Sequence, residues 1–162
     1  DKYDLVYIPN TKRWGGIGIS SYAFLENYLY TEEAFKSYFE HLNDDGVFAM
    51  EDRTWFILRY IETAILVMKK YNIGVTNNIA LIQGEPHSIV LLKKKPFNNK
   101  EINNLEIASG EIGLKASLLQ ESDIVIFEKD SITIEDNRPF YWNMYSLSTL
   151  LNPSKIKYQS FY

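Results

Sequence analysis

The chain opens with the residue pattern of a buried β-strand. Tyr3–Ile8 is aromatic, aliphatic or β-branched apart from Asp4, and Pro9 ends the run with a residue that cannot donate a ladder hydrogen bond. A loop over residues 10–22 follows and contains three glycines. Because glycine lets a backbone turn sharply, we expect this loop to be mobile or to bend closely around a neighbouring group.

A helix and a second strand are predicted next. Thr31 precedes Glu32 and Glu33, and a threonine cap followed by two acids is typical of a helix start. The apolar stripe of this helix consists of Ala34, Tyr38, Phe39 and Leu42. A turn over residues 43–46 should end the helix, and residues 47–50 have the pattern of a second buried strand. The order strand, helix, strand predicts a parallel crossover unit.

A longer helix and a hairpin follow. Apolar residues at three-to-four spacing predict a helix over residues 54–71, which Asn72 and Gly74 close. Strand patterns at Ile79–Gln83 and residues 88–93 are joined by a link short enough for an antiparallel hairpin. The sequence therefore predicts an α/β domain whose sheet is mixed.

The pattern weakens beyond Pro96. Residues 100–109 predict a helix, residues 114–120 fit a further short helix, and the apolar run at 124–127 fits either a strand or a helix. Periodicity therefore determines the elements least well in this last part of the chain.

Composition indicates a packed globular chain. Twelve tyrosines, nine phenylalanines and three tryptophans argue against disorder. The net charge of −4 and the scattered basic residues give no electrostatic footprint for nucleic acid, so we expect no nucleic-acid partner. We expect Lys93, Lys94 and Lys95 to lie in solvent at a strand end, the alternative being contact with anionic lipid headgroups.

Several kinds of site are excluded by the residues present. The chain has no cysteine, which excludes disulfides and thiolate catalysis. His41 and His87 are far apart in sequence and neither has a second histidine at helical spacing, so we expect no metal site. No apolar run approaches the roughly 20 residues that span a bilayer. We therefore expect a cytoplasmic protein.

Three local motifs occur in a recognisable order. They are YDLV at residues 3–6, YLYTEEAF at residues 28–35 and NDDGVFA at residues 43–49. Together they resemble the spermidine/spermine synthase family. The similarity is greatest to bacterial spermidine-synthase-like domains attached to membrane segments, whose ends carry a motif like DNRPFY at residues 136–141. We interpret residues 1–142 as the C-terminal half of such a domain and residues 143–162 as a tail.

The resemblance implies a Rossmann-like, methyltransferase-type sheet. In it Tyr3–Ile8 is strand four, residues 47–50 are strand five, and the hairpin supplies the last two strands. Strands one to three, with the glycine turn that grips S-adenosylmethionine or its decarboxylated form, would precede Asp1. The resemblance thus implies no cofactor-binding residue in this chain, a partner in the upstream half of its own domain, and membrane proximity of the parent. A bare edge at residues 3–8 would also favour a homodimer, the alternative being an edge that is covered in another way.

Aminopropyl transfer in that family relies on aspartates just after strand four. Pro9 stands here at the principal aspartate position and Lys12 stands near the second. Proline cannot accept a proton, and lysine repels a cationic amine. The resemblance therefore implies a transferase of the adenosylmethionine type with an unknown acceptor, in which aminopropyl transfer is lost and this chain alone is inactive. The alternative is a non-catalytic binding or assembly module that keeps the fold.

Five residues are candidates for substrate contact because they lie where such folds line their pocket. They are Asn10 and Thr11 after the first strand, Glu26 and Asn27 before the first helix, and Glu51 after the second strand. The alternative for Glu26 and Asn27 is a set of hydrogen bonds that fasten the loop or cap the helix. The alternative for Glu51 is a solvated loop in which Asp52 caps the next helix.

A structural motif is predicted near the C-terminus. Asp136 and Arg138 are expected to form a charge-assisted pair that pins the turn before Pro139, while Phe140 and the aromatic residues after it bury area against the sheet. The alternative is an aromatic surface that faces a membrane or a partner.

Overall fold

A mixed sheet of five strands, with helices on both faces, organises the part of the chain that the computed structural model describes, residues 1–10 and 27–120. The strands are β1 (Tyr3–Ile8), β2 (Leu42–Arg53), β3 (Ile79–Gln83), β4 (His87–Lys93) and β5 (Lys115–Leu118). The helices are α1 (Glu32–His41), α2 (Thr54–Lys70) and α3 (Asn99–Glu111), and a 3₁₀ helix at Asn27–Tyr30 precedes α1. The predicted α/β class with a mixed sheet is confirmed.

The predicted crossover unit is present. β1 and β2 pair in parallel, and α1 lies between them in sequence. The Thr31 hydroxyl accepts the amide of Ala34, which is the predicted cap at the start of α1. Because parallel neighbours end at the same edge of a sheet, the residues that follow β1 and β2 are brought close together.

The predicted turn at residues 43–46 is replaced by an extension of β2. Tyr3 pairs with Leu42, whereas Leu5 already pairs with Val47, so the register shifts and the intervening residues of β2 bulge. α1 therefore ends at His41 and passes directly into the strand. A bulge accommodates the polar sequence without ending the strand, which local composition alone does not reveal.

The hairpin formed by β3 and β4 adds to β2 through its second strand. The order across the sheet is β1-β2-β4-β3-β5, and β4 is antiparallel to both of its neighbours. Gly84 makes the tight link, because a Cβ atom there would lie 2.4 Å from the carbonyl oxygen of His87. As a result, β4 starts at the edge where β1 and β2 end.

The prediction of a short helix at residues 114–120 was wrong. α3 carries the capping box formed by Asn98 and Glu101 and ends before Gly113, whose φ of 74° turns the chain back. β5 then pairs antiparallel with β3, so pairing with an available strand determined its conformation. The apolar run at residues 124–127 lies outside the described residues.

Two apolar layers cover the sheet. The larger layer packs α1 and α2 against one face, and Phe48 is fully buried at its centre. The smaller layer packs Ile102 and Leu105 of α3 against the other face around Leu91. Among the described residues, no helix is both long and apolar enough to cross a bilayer.

Alkaline pH should weaken this core through Tyr38. Burial, with a smaller electrostatic contribution from Tyr30, raises the pKa of Tyr38 from 10.0 to about 12. A phenol that holds its proton more tightly in the folded state adds stability that is fully present below pH 10 and is lost as the pH rises towards about 12. We expect the free energy of unfolding to fall over this window, as measured by urea titration. A Tyr38→Phe variant with the same pH slope as the wild type would contradict this account.

Candidate functional site

Polar side chains from three strands converge at one edge of the sheet. β1 and β2 end there, and β4 begins there because it runs antiparallel to β2. The register places Tyr7 beside Ala49 and His87 beside Arg53, so Tyr7, Glu51 and His87 share one neighbourhood although they are remote in sequence. This is the edge at which open α/β sheets bind their ligands.

The residues Tyr7, Asn10, Glu51 and His87 form a connected group, which we call the edge cluster. The Tyr7 hydroxyl donates to Glu51 Oε2 over 2.6 Å, and His87 Nδ1 lies 3.6 Å from Glu51 Oε1. Asn10 Nδ2 lies 3.0 Å from His87 Nε2. One carboxylate thus accepts a hydrogen bond from a phenol and lies beside an imidazole, and an amide contacts the far nitrogen of that imidazole.

The edge cluster is open to solvent. The side chains of His87 and Glu51 are 40% and 28% exposed, and Tyr7 is half exposed. The hydrogen bond to Glu51 is the main reason that the pKa of Tyr7 is raised, followed by burial, so Tyr7 stays a neutral donor to the carboxylate. A small ligand can therefore reach these side chains from solvent.

A second polar group lies on the opposite face of the same strand ends. Asp52 is fully buried, and its two carboxylate oxygens accept the Tyr60 hydroxyl and the Arg53 amide, each over 2.7 Å. The Tyr60 ring stacks on that of Tyr30 with centroids 4.3 Å apart. Burial first, and the neighbouring Asp52 next, raise the pKa of Tyr60 well above its usual value. This group fastens the start of α2 to the sheet.

The interpretation of residues 51–53 as a solvated loop with an Asp52 cap was wrong. These residues belong to β2, and the cap residue of α2 is Arg53, which makes no side-chain cap hydrogen bond. The alternation of a strand explains the difference, because consecutive side chains point to opposite faces. Glu51 therefore reaches the open edge cluster while Asp52 enters the core.

Thr54 ties the first turn of α2 to the hairpin that carries His87. Its hydroxyl donates to the carbonyl oxygen of Gly84 over 2.8 Å and lies 3.0 Å from the Ser88 hydroxyl. Its amide donates to the Pro86 carbonyl oxygen over 3.0 Å. The position of His87 is thus set by the buried end of α2 as well as by strand pairing.

Comparison with models of protein families gives no match, and a search of curated proteins gives none either. No family is shown. Any activity must therefore be inferred from the fold and from the edge cluster.

Two of the five residues predicted to contact a substrate lie together in the structure, and the side chains of the other three lie outside the described residues. Asn10 and Glu51 do lie together, joined through His87. Asn27 begins the 3₁₀ helix, but its side chain lies outside the described residues, as do Thr11 and Glu26. The C-terminal motif of Asp136, Arg138, Pro139 and Phe140 also lies outside them.

Sequence reasoning missed two members of the edge cluster. His87 was weighed only as a metal ligand, and Tyr7 was taken as an interior residue of a strand. The pairing of β4 with β2 brings His87 to the carboxyl edge, and the register of β1 against β2 places Tyr7 within reach of Glu51.

Sequence reasoning also gave the wrong environment for Lys93. Lys93 was expected in solvent, yet its side chain is only 2% exposed and pairs with Glu101 of α3. The alternation of β4 directs Lys93 towards the face that α3 covers. Lys95 is exposed and pairs with Asp45 over 3.0 Å.

Proposed function

We propose that this chain is part of a spermidine-synthase-like transferase domain of the adenosylmethionine type, with an acceptor other than the polyamine of aminopropyl transfer. The observation that carries the proposal is the convergence of Tyr7, Glu51 and His87 at the carboxyl edge of two parallel strands. Ligands of open α/β sheets bind outside that edge.

The arrangement of the strands supports the proposal. Two parallel strands joined by a helical crossover are followed by an antiparallel hairpin at the side of β2. That is the arrangement expected if β1 and β2 are strands four and five of a methyltransferase-type sheet and the hairpin supplies its last two strands. Further strands of such a sheet would then pair with the edge strand β1.

The residues described do not fit a grip for the adenosyl group. Such a grip needs amides at a glycine turn that follows a parallel strand. Within residues 1–10 and 27–120, β1 is followed by Pro9 and Asn10, and β2 passes directly into α2. We therefore expect other residues to bind the cofactor and the edge cluster to contact the acceptor.

Calorimetry of the full-length natural protein tests the proposal. We expect saturable binding of S-adenosylmethionine or of decarboxylated S-adenosylmethionine, with free methionine as a control ligand that gives no comparable heat. Because Pro9 stands where the resembled family has its principal aspartate, we also expect no aminopropyl transfer from a bound donor to putrescine. An absence of binding by both nucleosides would reject the transferase proposal.

A non-catalytic assembly module is the second candidate, and a specific observation favours it. Tyr3, Leu5 and Tyr7 form an exposed stripe along the edge strand β1, with Leu5 61% exposed. Exposed apolar edge strands pair with other chains, so this candidate places a partner strand on β1. It predicts that a Leu5→Lys change abolishes association seen by analytical ultracentrifugation, whereas the transferase proposal requires no such association.

A further inference from the structure

The edge cluster determines which nitrogen of His87 carries the proton. The nitrogen Nδ1 lies 3.6 Å from Glu51 Oε1, which is longer than a hydrogen bond, but the negative charge of an ionised carboxylate there still favours a hydrogen on Nδ1. The nitrogen Nε2 faces Asn10 Nδ2 at 3.0 Å, and an amide nitrogen can only donate. Both neighbours therefore favour the same tautomer, with the hydrogen on Nδ1 and the lone pair on Nε2.

The carboxylate that orients His87 is itself held in place. The Tyr7 hydroxyl donates to the other oxygen of Glu51 over 2.6 Å. An imidazole that has a carboxylate beside one nitrogen, and whose other nitrogen carries the lone pair, has the arrangement of a general base. The carboxylate also stabilises the imidazolium that forms when the base takes a proton.

The far nitrogen of His87 faces the open side of the edge cluster. Its present neighbour is the side chain of Asn10, which directly follows Pro9 at the end of β1. A ligand that donates a hydrogen bond can replace that amide without disturbing Glu51 or Tyr7. Proline at position 9 removes the acid that the resemblance would place there, so His87 supplies a base where β1 supplies none.

We propose that His87 is the proton acceptor for the ligand of this site, oriented by Glu51 and positioned by Tyr7. The inference rests on the proposed function in taking that ligand to be an acceptor with an N–H or O–H group. The N–H or O–H bond breaks heterolytically, its electron pair stays on the ligand, and the proton passes to Nε2. The resulting imidazolium faces the Glu51 carboxylate.

Two-bond ¹H–¹⁵N spectra of the histidine rings, recorded at a pH where the imidazoles are neutral, test this assignment. In the wild-type chain we expect His87 as the Nδ1–H tautomer. Glu51→Ala should raise the share of the Nε2–H form only in part, because Asn10 still donates to Nε2, and Tyr7→Phe should leave His87 largely in the Nδ1–H form. His41 is an internal control, because its Nδ1 lies 2.8 Å from the Ser37 carbonyl oxygen, and it should remain the Nδ1–H tautomer in every variant.

The outcomes separate this inference from the proposed function. An Nε2–H tautomer in the wild type, or a tautomer that Glu51→Ala leaves unchanged in a folded chain, would overturn the role of His87 even if adenosylmethionine binds. The expected tautomer together with no nucleoside binding would instead reject the transferase proposal alone. In an active full-length protein, added imidazole should restore part of the activity lost in His87→Ala, a rescue that a structural role does not give.

Discussion

Replacing Phe48 by alanine should lower the free energy of unfolding by about 3–5 kcal/mol, the range for truncating a buried phenylalanine. Phe48 is fully buried, and its ring contacts three other aromatic rings, with the edge-to-face partner Phe35 at 5.5 Å between centroids. Alanine removes these contacts and leaves a cavity between α1 and the sheet. Urea unfolding followed by circular dichroism measures the loss.

Tyr3→Ala is the matched control for that change, since it also truncates an aromatic residue on the same sheet. Tyr3 is 50% exposed on β1, so we expect a loss below about 1 kcal/mol. Equal losses in the two variants would mean that Phe48 is not at the centre of the core.

Tyr60→Phe should lower the free energy of unfolding by about 1.5–3 kcal/mol, the usual range for a hydrogen bond to a charged group. The change keeps the ring and its stacking on Tyr30 but removes the hydroxyl that donates to the buried Asp52 carboxylate over 2.7 Å. Since Asp52 is fully buried, water does not readily replace the lost donor. The same urea titration measures the effect.

Tyr38→Phe provides the comparison for Tyr60→Phe at neutral pH. Its hydroxyl donates to the neutral carbonyl oxygen of Leu29 over 3.1 Å in a half-buried position, so we expect a loss of only about 0.5–1.5 kcal/mol. A larger loss for Tyr38→Phe than for Tyr60→Phe would contradict the role given to the buried carboxylate.

Local pattern predicted most elements because the residues that determine them are neighbours in sequence. The cap at Thr31, the apolar spacing of α2 and the short link at Gly84 each act over a few residues. β5 and the early part of β2 were missed because their partners are remote: β5 pairs with β3, and the bulge of β2 compensates a register shift against β1. Propensity contains no information on such pairing.

The sequence identified only those members of the candidate site that follow a predicted parallel strand. Asn10 follows the first predicted strand and Glu51 follows the strand predicted at residues 47–50, and the rule that ligands bind at the carboxyl edge places both there. His87 reaches the same edge because β4 inserts beside β2, and Tyr7 joins it through a hydrogen bond to a residue on the neighbouring strand. Both depend on strand order and register, which a single sequence does not specify.

Mapping of amide chemical shifts in the full-length natural protein shows whether the carboxyl edge of β1 and β2 adjoins a bound nucleoside. When S-adenosylmethionine or its decarboxylated form is added, the account predicts direct contacts at other residues of the natural protein. Among residues 1–10 and 27–120, it predicts perturbations at the ends of β1 and β2 and at the start of β4, where the acceptor side adjoins the bound donor. Perturbations confined to β5 and α3, or none with either nucleoside, would contradict it.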